Sequence, residues 1–315
     1  MEIINQKNIW YLFDIMDIDT DAQDMAEIKE MEEEMSSIDR TKTLQILDTQ
    51  RFRDWLLSPG SARLLIHGNF HGNLHGPLTE ASALSLLCTT LTKAFHEQNP
   101  RALCLTWFCG FHLGEEVGAF SDDPNFRTYS YQGRPYDPEV ANVDEHVLPY
   151  ARQGVIGEML RSFIVQLLNQ HDFGSAELLP PDVRSDTIQQ NKRIDHLMVV
   201  FRWMIGLLPR DTTLFVLVDG IAHYESTNYQ EVTCYALDSI LTDTALDTRG
   251  PGIKLLVTSP RRQSTYERYF EHGKTLSVDH LPPSFEAYSD DGVIRRLLRM
   301  RNGNFIPRTV QSWNR

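Results

Sequence analysis

The sequence predicts a three-layer α/β fold, in which a parallel sheet of about five strands carries helices on both faces. Two observations predict this fold. Short apolar runs, of the length of buried strands, occur at 63–67, 102–108, 213–219, 253–258 and 274–278. Segments with helical apolar spacing lie between them, at 78–97, 153–170, 188–208, 230–242 and 262–271. Strands that are apolar throughout and alternate with helices are typical of a parallel sheet covered on both sides.

The N-terminal segment, 1–50, is acidic and precedes the first strand. Residues 14–34 include ten acidic residues and one lysine, which gives this stretch −9 of the net charge of −13. We expect a solvated helix or a disordered tail there, with a binding motif as the alternative. The apolar cluster 9–13 is expected to dock on the core or on a partner. A helix is predicted over 38–57, and Ser58, Pro59 and Gly60 end it before the first strand.

A glycine-rich loop follows the first strand. The stretch 63–79 reads RLLIHGNFHGNLHGPLT, an apolar strand and a turn with three glycines, and helical spacing begins at Leu78. A phosphate-binding loop lies at this position in a strand–loop–helix unit. When the motif GxxxxGK[ST] starts at Gly68, its last three positions are Asn-Leu-His; when it starts at Gly72, they are Pro-Leu-Thr. Neither alignment contains the lysine.

Two later strands end in polar residues. The run LFVLVDG at 214–220 ends in Asp219, which is the form of a Walker B segment, whose acid helps to hold Mg²⁺. The run IKLLVTSP at 253–260 ends in the hydroxyl residues Thr258 and Ser259. In a parallel sheet these ends lie at one edge, where ligands bind in open α/β folds.

Together these segments resemble the nucleotide-binding domain of fungal STAND proteins, the NACHT-like relatives that switch on nucleotide exchange. The resemblance covers about residues 51–280 and includes FRDWLLSPGSARLLIHGN, ALCLTWFCGFH, GEMLRSFIVQLL and VDGIAHYE. It implies a P-loop NTPase-like fold with strand order 5-1-4-3-2. The site residues that it implies are Gly68, Asn69, Gly72, Asn73, Gly76, Thr79, Asp219 and Thr258, with Asp219 also as the metal ligand.

The missing lysine decides which activity we expect. Losing one charge-assisted hydrogen bond costs about 1.5–3 kcal/mol, so weak binding of ATP or ADP with Mg²⁺ is compatible with the residues that remain. Hydrolysis is not expected, because Asp219 is followed by Gly220 and the next acid is Glu225. The sequence therefore predicts a pseudo-NTPase, a binding, regulatory or scaffold module that does not hydrolyse nucleotide.

Two alternatives stay open. One is an unorthodox slow NTPase or phosphotransferase, in which Lys93, Arg101 or a residue of the irregular insertion 110–153 replaces the missing lysine. The other is an accessory protein of a fungal secondary-metabolite pathway. The insertion leaves the second strand on the side of the cleft and is a candidate lid. The tail 281–315, with a basic amphipathic helix at 293–300, is too short for the further domains of full-length STAND proteins.

Other polar residues are candidates for phosphate or metal binding. Arg261 and Arg262 are candidates to reach a γ-phosphate, or are exposed residues at a helix start. The histidines at 67, 71 and 75, with His112, are a candidate zinc site, although the glycines between them argue against a helix.

Charge and cysteine usage limit the partners. Nucleic acid is not expected because the chain is acidic, and a membrane is not expected because no apolar run is long enough to span one. The four cysteines form no CxxC pair, so reduced thiols in the core are expected. We expect a cytoplasmic protein with protein partners.

Overall fold

A computed structural model describes most of the chain between residues 20 and 281. The described residues are 6, 9, 20–70, 80–98, 101–112, 150–180, 194–225, 230–246, 250–271 and 273–281. Their strands are β1 (Ala62–His67), β2 (Ala102–Phe108), β3 (Thr213–Asp219), β4 (Gly252–Ser259) and β5 (Thr275–Ser277). Their α-helices are α1 (Thr20–Glu30), α2 (Ser37–Asp48), α3 (Gln50–Leu57), α4 (Ala83–Gln98), α5 (Tyr150–Gln170), α6 (Ile194–Gly206) and α7 (Gln230–Leu246).

The five strands form one parallel sheet in the order β2-β3-β4-β1-β5. This is the predicted order, 5-1-4-3-2, counted from the other edge. The register aligns the carboxyl ends, because Phe108 of β2 lies beside Asp219 of β3, and Val218 lies beside Val257 of β4. The last residues of three adjacent strands therefore meet at one edge of the sheet, which we call the carboxyl edge.

Helices cover both faces of the sheet and make the predicted three layers. Alternate residues of the strands enter two cores, as in β3, where Val216 belongs to one core and Phe215 and Leu217 to the other. Helices α5, α6 and α7 pack on the first face, and α1 to α4 pack on the second. All strand residues from 102 to 108 are buried, which explains the continuous apolar run.

Three predicted helices differ from the structure. The helix predicted over 38–57 is broken at Thr49, whose extended backbone and side-chain oxygen cap the start of α3. The helix predicted over 78–97 begins at Ala83 instead. The helix predicted over 262–271 is only a short 3₁₀ turn, Thr265–Tyr269, which a capping box of Ser264 and Glu267 starts and the extended backbone of Phe270 ends.

The acidic N-terminal segment is packed against the sheet layer over its described part. Ile28 of α1 is fully buried in the core that contains α4, and Asp24 is also buried. The Asp24 carboxylate lies 2.7 Å from Nε2 of His112, just after β2. Ile9 is buried in the opposite core. The acidic helix α1 is therefore docked on the core through Asp24 and Ile28, and residues 1–19 other than 6 and 9 lie outside the described residues.

The free edge of β2 is covered by two glutamines of α5. The Gln166 amide accepts a hydrogen bond from the Thr106 N–H and donates one to the Thr106 carbonyl, both at 2.8 Å. One turn later, the Gln170 amide does the same with Cys104, at 2.8 and 2.7 Å. A side-chain amide presents the same donor and acceptor as a backbone peptide, so these residues replace the hydrogen bonds of a neighbouring strand.

A buried lysine lies at the amino ends of the strands and holds the turn before β1. Nζ of Lys254, at the start of β4, donates to the carbonyls of Ser58 and Gly60 at 2.6 and 2.7 Å, and to the Ser58 hydroxyl. These acceptors belong to the turn that was predicted to end the helix before β1. The turn is therefore fixed by the Lys254 amine from within the sheet.

Replacing Gln166 with methionine should lower the free energy of unfolding by about 2 kcal/mol or more, because the buried Thr106 N–H and carbonyl would lose their partners. Urea unfolding measures this. Gln23→Met, at an exposed site on α1, is the control and should change the stability by less than about 0.5 kcal/mol. Equal stability of the two variants would contradict the pairing.

Candidate functional site

A buried carboxyl group lies at the centre of the carboxyl edge. Asp219, the last residue of β3, is 2% exposed. The Ser85 hydroxyl donates a hydrogen bond to its Oδ2 at 2.6 Å, and the Thr258 hydroxyl donates one to its Oδ1. Asp219 and Thr258, both predicted site residues, are thus in direct contact. Ser85 was not predicted.

The start of α4 positions Ser85. The Ser82 hydroxyl accepts a hydrogen bond from the Leu84 N–H at 3.2 Å, and the Ser85 hydroxyl accepts one from the Ser82 N–H at 2.9 Å. This reciprocal pair caps the helix and sets its first residue. Because the Ser85 oxygen accepts from Ser82, its proton points to Asp219. The sequence signal was a serine directly before an apolar run, but the apolar residue Leu78 favoured an earlier start.

A close backbone approach holds the loop before α4 against β2. A Cβ atom on Gly110 would lie 2.0 Å from the Glu80 carbonyl oxygen, so only glycine fits there. Just before it, the Cys109 N–H donates to the Asp219 carbonyl at 2.9 Å. Gly220, directly after Asp219, has a φ of 70°, which suits glycine. Two glycines therefore allow the ends of β2 and β3 and the start of α4 to converge.

Burial controls the ionisation of Asp219. Desolvation raises the pKa of the Asp219 carboxyl from its ordinary value of 3.8 to about 6, although hydrogen bonds from Ser85, Thr258 and the Gly220 N–H act in the opposite direction. A neutral and a charged form are thus both accessible near neutral pH. The hydroxyl groups can rotate to suit either form.

The first residues of the glycine-rich loop extend β1. The N–H groups of Gly68 and Phe70 donate to the carbonyls of Ser259 and Pro260, at 3.3 and 3.2 Å, and that of Asn69 donates to Asp279 Oδ1 at 3.0 Å. Gly68 has a packing reason as well, because a Cβ atom there would lie 2.9 Å from the Cβ of Val278. These three N–H groups serve the fold.

The rest of the predicted loop, including Gly72, Asn73, Gly76 and Thr79, lies outside the described residues. The role predicted for these residues in phosphate binding stays a prediction. The described helix begins at Ala83 and not at the predicted position 78. The hydroxyl that reaches Asp219 from that turn belongs to Ser85.

The next acid after Asp219 has a structural role. Oε1 of Glu225 accepts hydrogen bonds from the Ser264 hydroxyl at 2.6 Å and from the Thr265 N–H at 3.1 Å. Burial raises the pKa of Glu225, and these hydrogen bonds lower it. The Glu225 carboxylate therefore caps the 3₁₀ turn after β4, which ties the segments that follow β3 and β4 together.

The two named candidates to replace the missing lysine lie away from the carboxyl edge. Arg101 precedes β2 and pairs with Asp211 at 2.8 Å. A strand of seven residues spans about 20 Å, so the Arg101 side chain starts about that far from Asp219. Lys93 of α4 lies eight residues after Ser85, which is about 12 Å along the helix. Arg101 is therefore out of reach of Asp219, and a replacement by Lys93 stays a prediction.

Two other cations lie near the glycine-rich loop. Nζ of Lys42, on α2, is 3.4 Å from the Asn69 carbonyl oxygen and 3.2 Å from Asp39 Oδ1. Nε of Arg262 is 3.4 Å from Asp279 Oδ2, and its side chain is 56% exposed. Arg262 thus lies beside the first residues after β1, and Arg261 is also exposed.

The described histidines are separated. Nδ1 of His67 donates to the Arg262 carbonyl at 2.8 Å, and His112 is stacked on Trp107, with 3.9 Å between the ring centroids. No group of three or more metal-ligating side chains occurs among the described residues, and the histidines at 71 and 75 lie outside them. The zinc site is not formed by the part of the chain that the structure describes.

All four cysteines lie within the described residues, and each is a free, buried thiol. Burial raises the pKa of Cys104 to about 12 and that of Cys234 to about 11. Thiols with raised pKa values are poor nucleophiles. The prediction of reduced core thiols is confirmed.

No family model matches the chain, and no curated protein and no solved structure matches it either. Within the described residues, every helix is too short or too polar to span a lipid bilayer. The argument for a function therefore depends on the residues at the carboxyl edge.

Gly110→Ala should lower the free energy of unfolding by about 3 kcal/mol or more, because the new methyl group would overlap the Glu80 carbonyl. Gly206→Ala is the control, since a Cβ atom there meets no atom within 4 Å. The free energy of unfolding of the Gly206→Ala variant should be unchanged or rise by up to about 1 kcal/mol. Chemical unfolding of both variants measures the difference, and equal stability of the two would contradict the close approach.

Asp219→Asn should change how stability depends on pH. The folded pKa of Asp219 is raised, so between about pH 4 and pH 6 the native state binds more protons than the unfolded state, and stability falls as pH rises. Asparagine does not ionise, so the variant lacks this pH-dependent contribution to stability. In buffer without divalent ions, the wild type should lose on the order of 3 kcal/mol relative to Asp219→Asn between about pH 4 and pH 7. A difference that does not depend on pH would contradict the buried carboxyl.

Proposed function

We propose that this chain is a degenerate P-loop domain similar to those of STAND proteins, which binds a nucleotide weakly with Mg²⁺ and does not hydrolyse it. It acts as a regulatory or scaffold module. The observation that carries the proposal is the hydrogen bond of 2.6 Å between the Ser85 hydroxyl and Asp219 Oδ2.

This hydrogen bond joins two elements that act together in P-loop NTPases. In those proteins Mg²⁺ is held by a hydroxyl of the phosphate-binding loop and by an acid at the end of a neighbouring strand. Ser85, in the first turn of the helix after β1, and Asp219, at the end of β3, have the matching positions. The residue before the hydroxyl would be the lysine, and Leu84, fully buried, occupies that place. In this alignment Leu78 and Ala83 take the two glycine positions of the motif, so the domain would be degenerate in its glycines as well as its lysine.

The residues present fit Mg²⁺. The ion prefers oxygen ligands, and a carboxylate with two hydroxyl groups supplies them at one point of the carboxyl edge. Ser85 and Asp219 would hold the ion, and Thr258 would orient the carboxylate. When bound, Mg²⁺ would neutralise the negative charge of nucleotide phosphates. The Asp219 carboxyl would have to ionise, which its pKa of about 6 permits at neutral pH.

Two features argue against hydrolysis. Phosphoryl transfer depends on positioned positive charge, and the lysine that supplies it is absent from the sequence motif. Glu225, the next acid after Asp219, already bonds Ser264 and Thr265 through Oε1, so it is committed to capping a turn. Binding therefore fits the site better than turnover.

The proposed location is the cytoplasm, in keeping with four buried free thiols. The proposed partners are proteins, since STAND domains act as switches on other parts of an assembly.

Calorimetry with ATP, ADP and GTP tests nucleotide binding. In buffer with Mg²⁺, Ser85→Ala and Asp219→Asn should weaken binding about tenfold or more, because each removes an oxygen near the ion. In buffer without Mg²⁺ both variants should bind nucleotide with the same affinity as the wild type. Ser162→Ala removes a buried serine on the other face and is the control. If the wild type binds no nucleotide at millimolar concentration, the proposal is wrong.

Phosphate release from ATP tests the absence of hydrolysis. No release above the rate of buffer alone is expected over hours. Release that Asp219→Asn abolishes would show a slow NTPase and would contradict the pseudoenzyme.

A further inference from the structure

A cleft of about 660 Å³ lies at the carboxyl edge, on the side of β1 and β5. It is formed by α2, by Asn69 after β1, by Arg262 after β4 and by the turn after β5. Small-molecule sites typically have volumes of about 300–1,000 Å³. Asp219 is not part of its lining, so this cleft is distinct from the hydroxyl–carboxyl cluster.

The cleft brings two cations together in a chain whose net charge is −13. Its lining contains Lys42, which pairs with Asp39 at 3.2 Å, and Arg262, which pairs with Asp279 of the lining. Asp279 holds its neighbours in place, because its Oδ1 accepts the Asn69 N–H at 3.0 Å and its Oδ2 lies 3.4 Å from Nε of Arg262. The cations therefore approach Asn69 from two sides.

Lys42 is partly accessible to a ligand. Its side chain is 32% exposed, and its ion pair with Asp39, at 3.2 Å, is of the i,i+3 type. Pairs at this spacing on a helix are worth only about 0.2–0.5 kcal/mol, so a ligand anion can compete with Asp39. Nζ also lies 3.4 Å from the carbonyl of Asn69, within the loop that lacks a lysine.

The cleft also has an apolar wall. Ile38 of α2 is 67% exposed, and Val278 and Leu281 lie nearby in the lining. An exposed isoleucine beside two cations suits a ligand with an apolar or aromatic part joined to an anionic group.

We propose that this cleft binds a phosphate-bearing small molecule, that Lys42 and Arg262 hold its phosphate groups, and that Lys42 replaces the lysine missing from the glycine-rich loop. The inference rests on the proposed function, because it names the residues that bind the phosphates of the same nucleotide. It also has a separate basis, the two cations of the cleft, which do not depend on Mg²⁺.

Calorimetry with ATP and with tripolyphosphate tests the inference. Lys42→Met and Arg262→Gln should each weaken both interactions about ten- to a hundredfold, with or without Mg²⁺. Lys42→Arg, which keeps the charge, should bind within about threefold of the wild type. Ile38→Ser should weaken binding of ATP and leave that of tripolyphosphate unchanged. Lys274→Met removes an exposed lysine at the opposite edge and should have no effect.

The outcomes separate the two proposals. If Lys42→Met and Arg262→Gln bind like the wild type while Asp219→Asn does not, the phosphates do not lie in this cleft and only the proposed function stands. If Lys42→Met loses binding and Asp219→Asn does not, the cleft binds the ligand without the metal site. If the wild type binds neither probe at millimolar concentration, both proposals are wrong. Midpoints of thermal unfolding equal to that of the wild type exclude loss of folding as the cause of weaker binding by a variant.

Discussion

A carboxyl group that is buried must find hydrogen-bond donors, and this need organises the carboxyl edge of the sheet. Asp219 takes its donors from Ser85 and Thr258, which belong to a helix and a strand far apart in the chain. Ser85 can reach it only because Ser82 ends the preceding loop and begins α4 at the right residue. The glycines after β2 and β3 then let the backbone segments approach. The same group is thus the constraint on the local fold and the centre of the proposed site.

Strands were easier to predict than helix boundaries. The predicted ranges 102–108 and 213–219 are those of β2 and β3, because strands buried on both faces are apolar at every position. Helix ends depend on capping, which a pattern of apolar residues does not detect. Thr49 interrupts the predicted helix 38–57 through its own side chain, and Ser82 delays α4 although Leu78 fits the apolar spacing. The packing of α1 was hidden by its acidic composition, although Ile28 is fully buried in the core and Met25 packs against it.

The candidate site was only partly visible in the sequence. Asp219 and Thr258 could be found, because each ends an apolar strand at the edge where ligands bind. Ser85 and Lys42 could not be found, because their roles depend on contacts between elements that are distant in the chain. Arg101 was plausible by charge alone, and the direction of β2 places it at the far end of the strands from Asp219. A charged residue in a sequence becomes a candidate ligand group only when the topology brings it to the right edge.

The central claim is that the carboxyl edge holds a nucleotide and leaves it intact. A crystal structure of the protein grown for several days with Mg²⁺ and ATP tests this most directly. The account predicts intact ATP, with all three phosphates, at the carboxyl edge and with Mg²⁺ beside Ser85 and Asp219. ADP in the site would contradict the absence of hydrolysis, and an empty carboxyl edge in crystals with millimolar ATP would contradict the account as a whole.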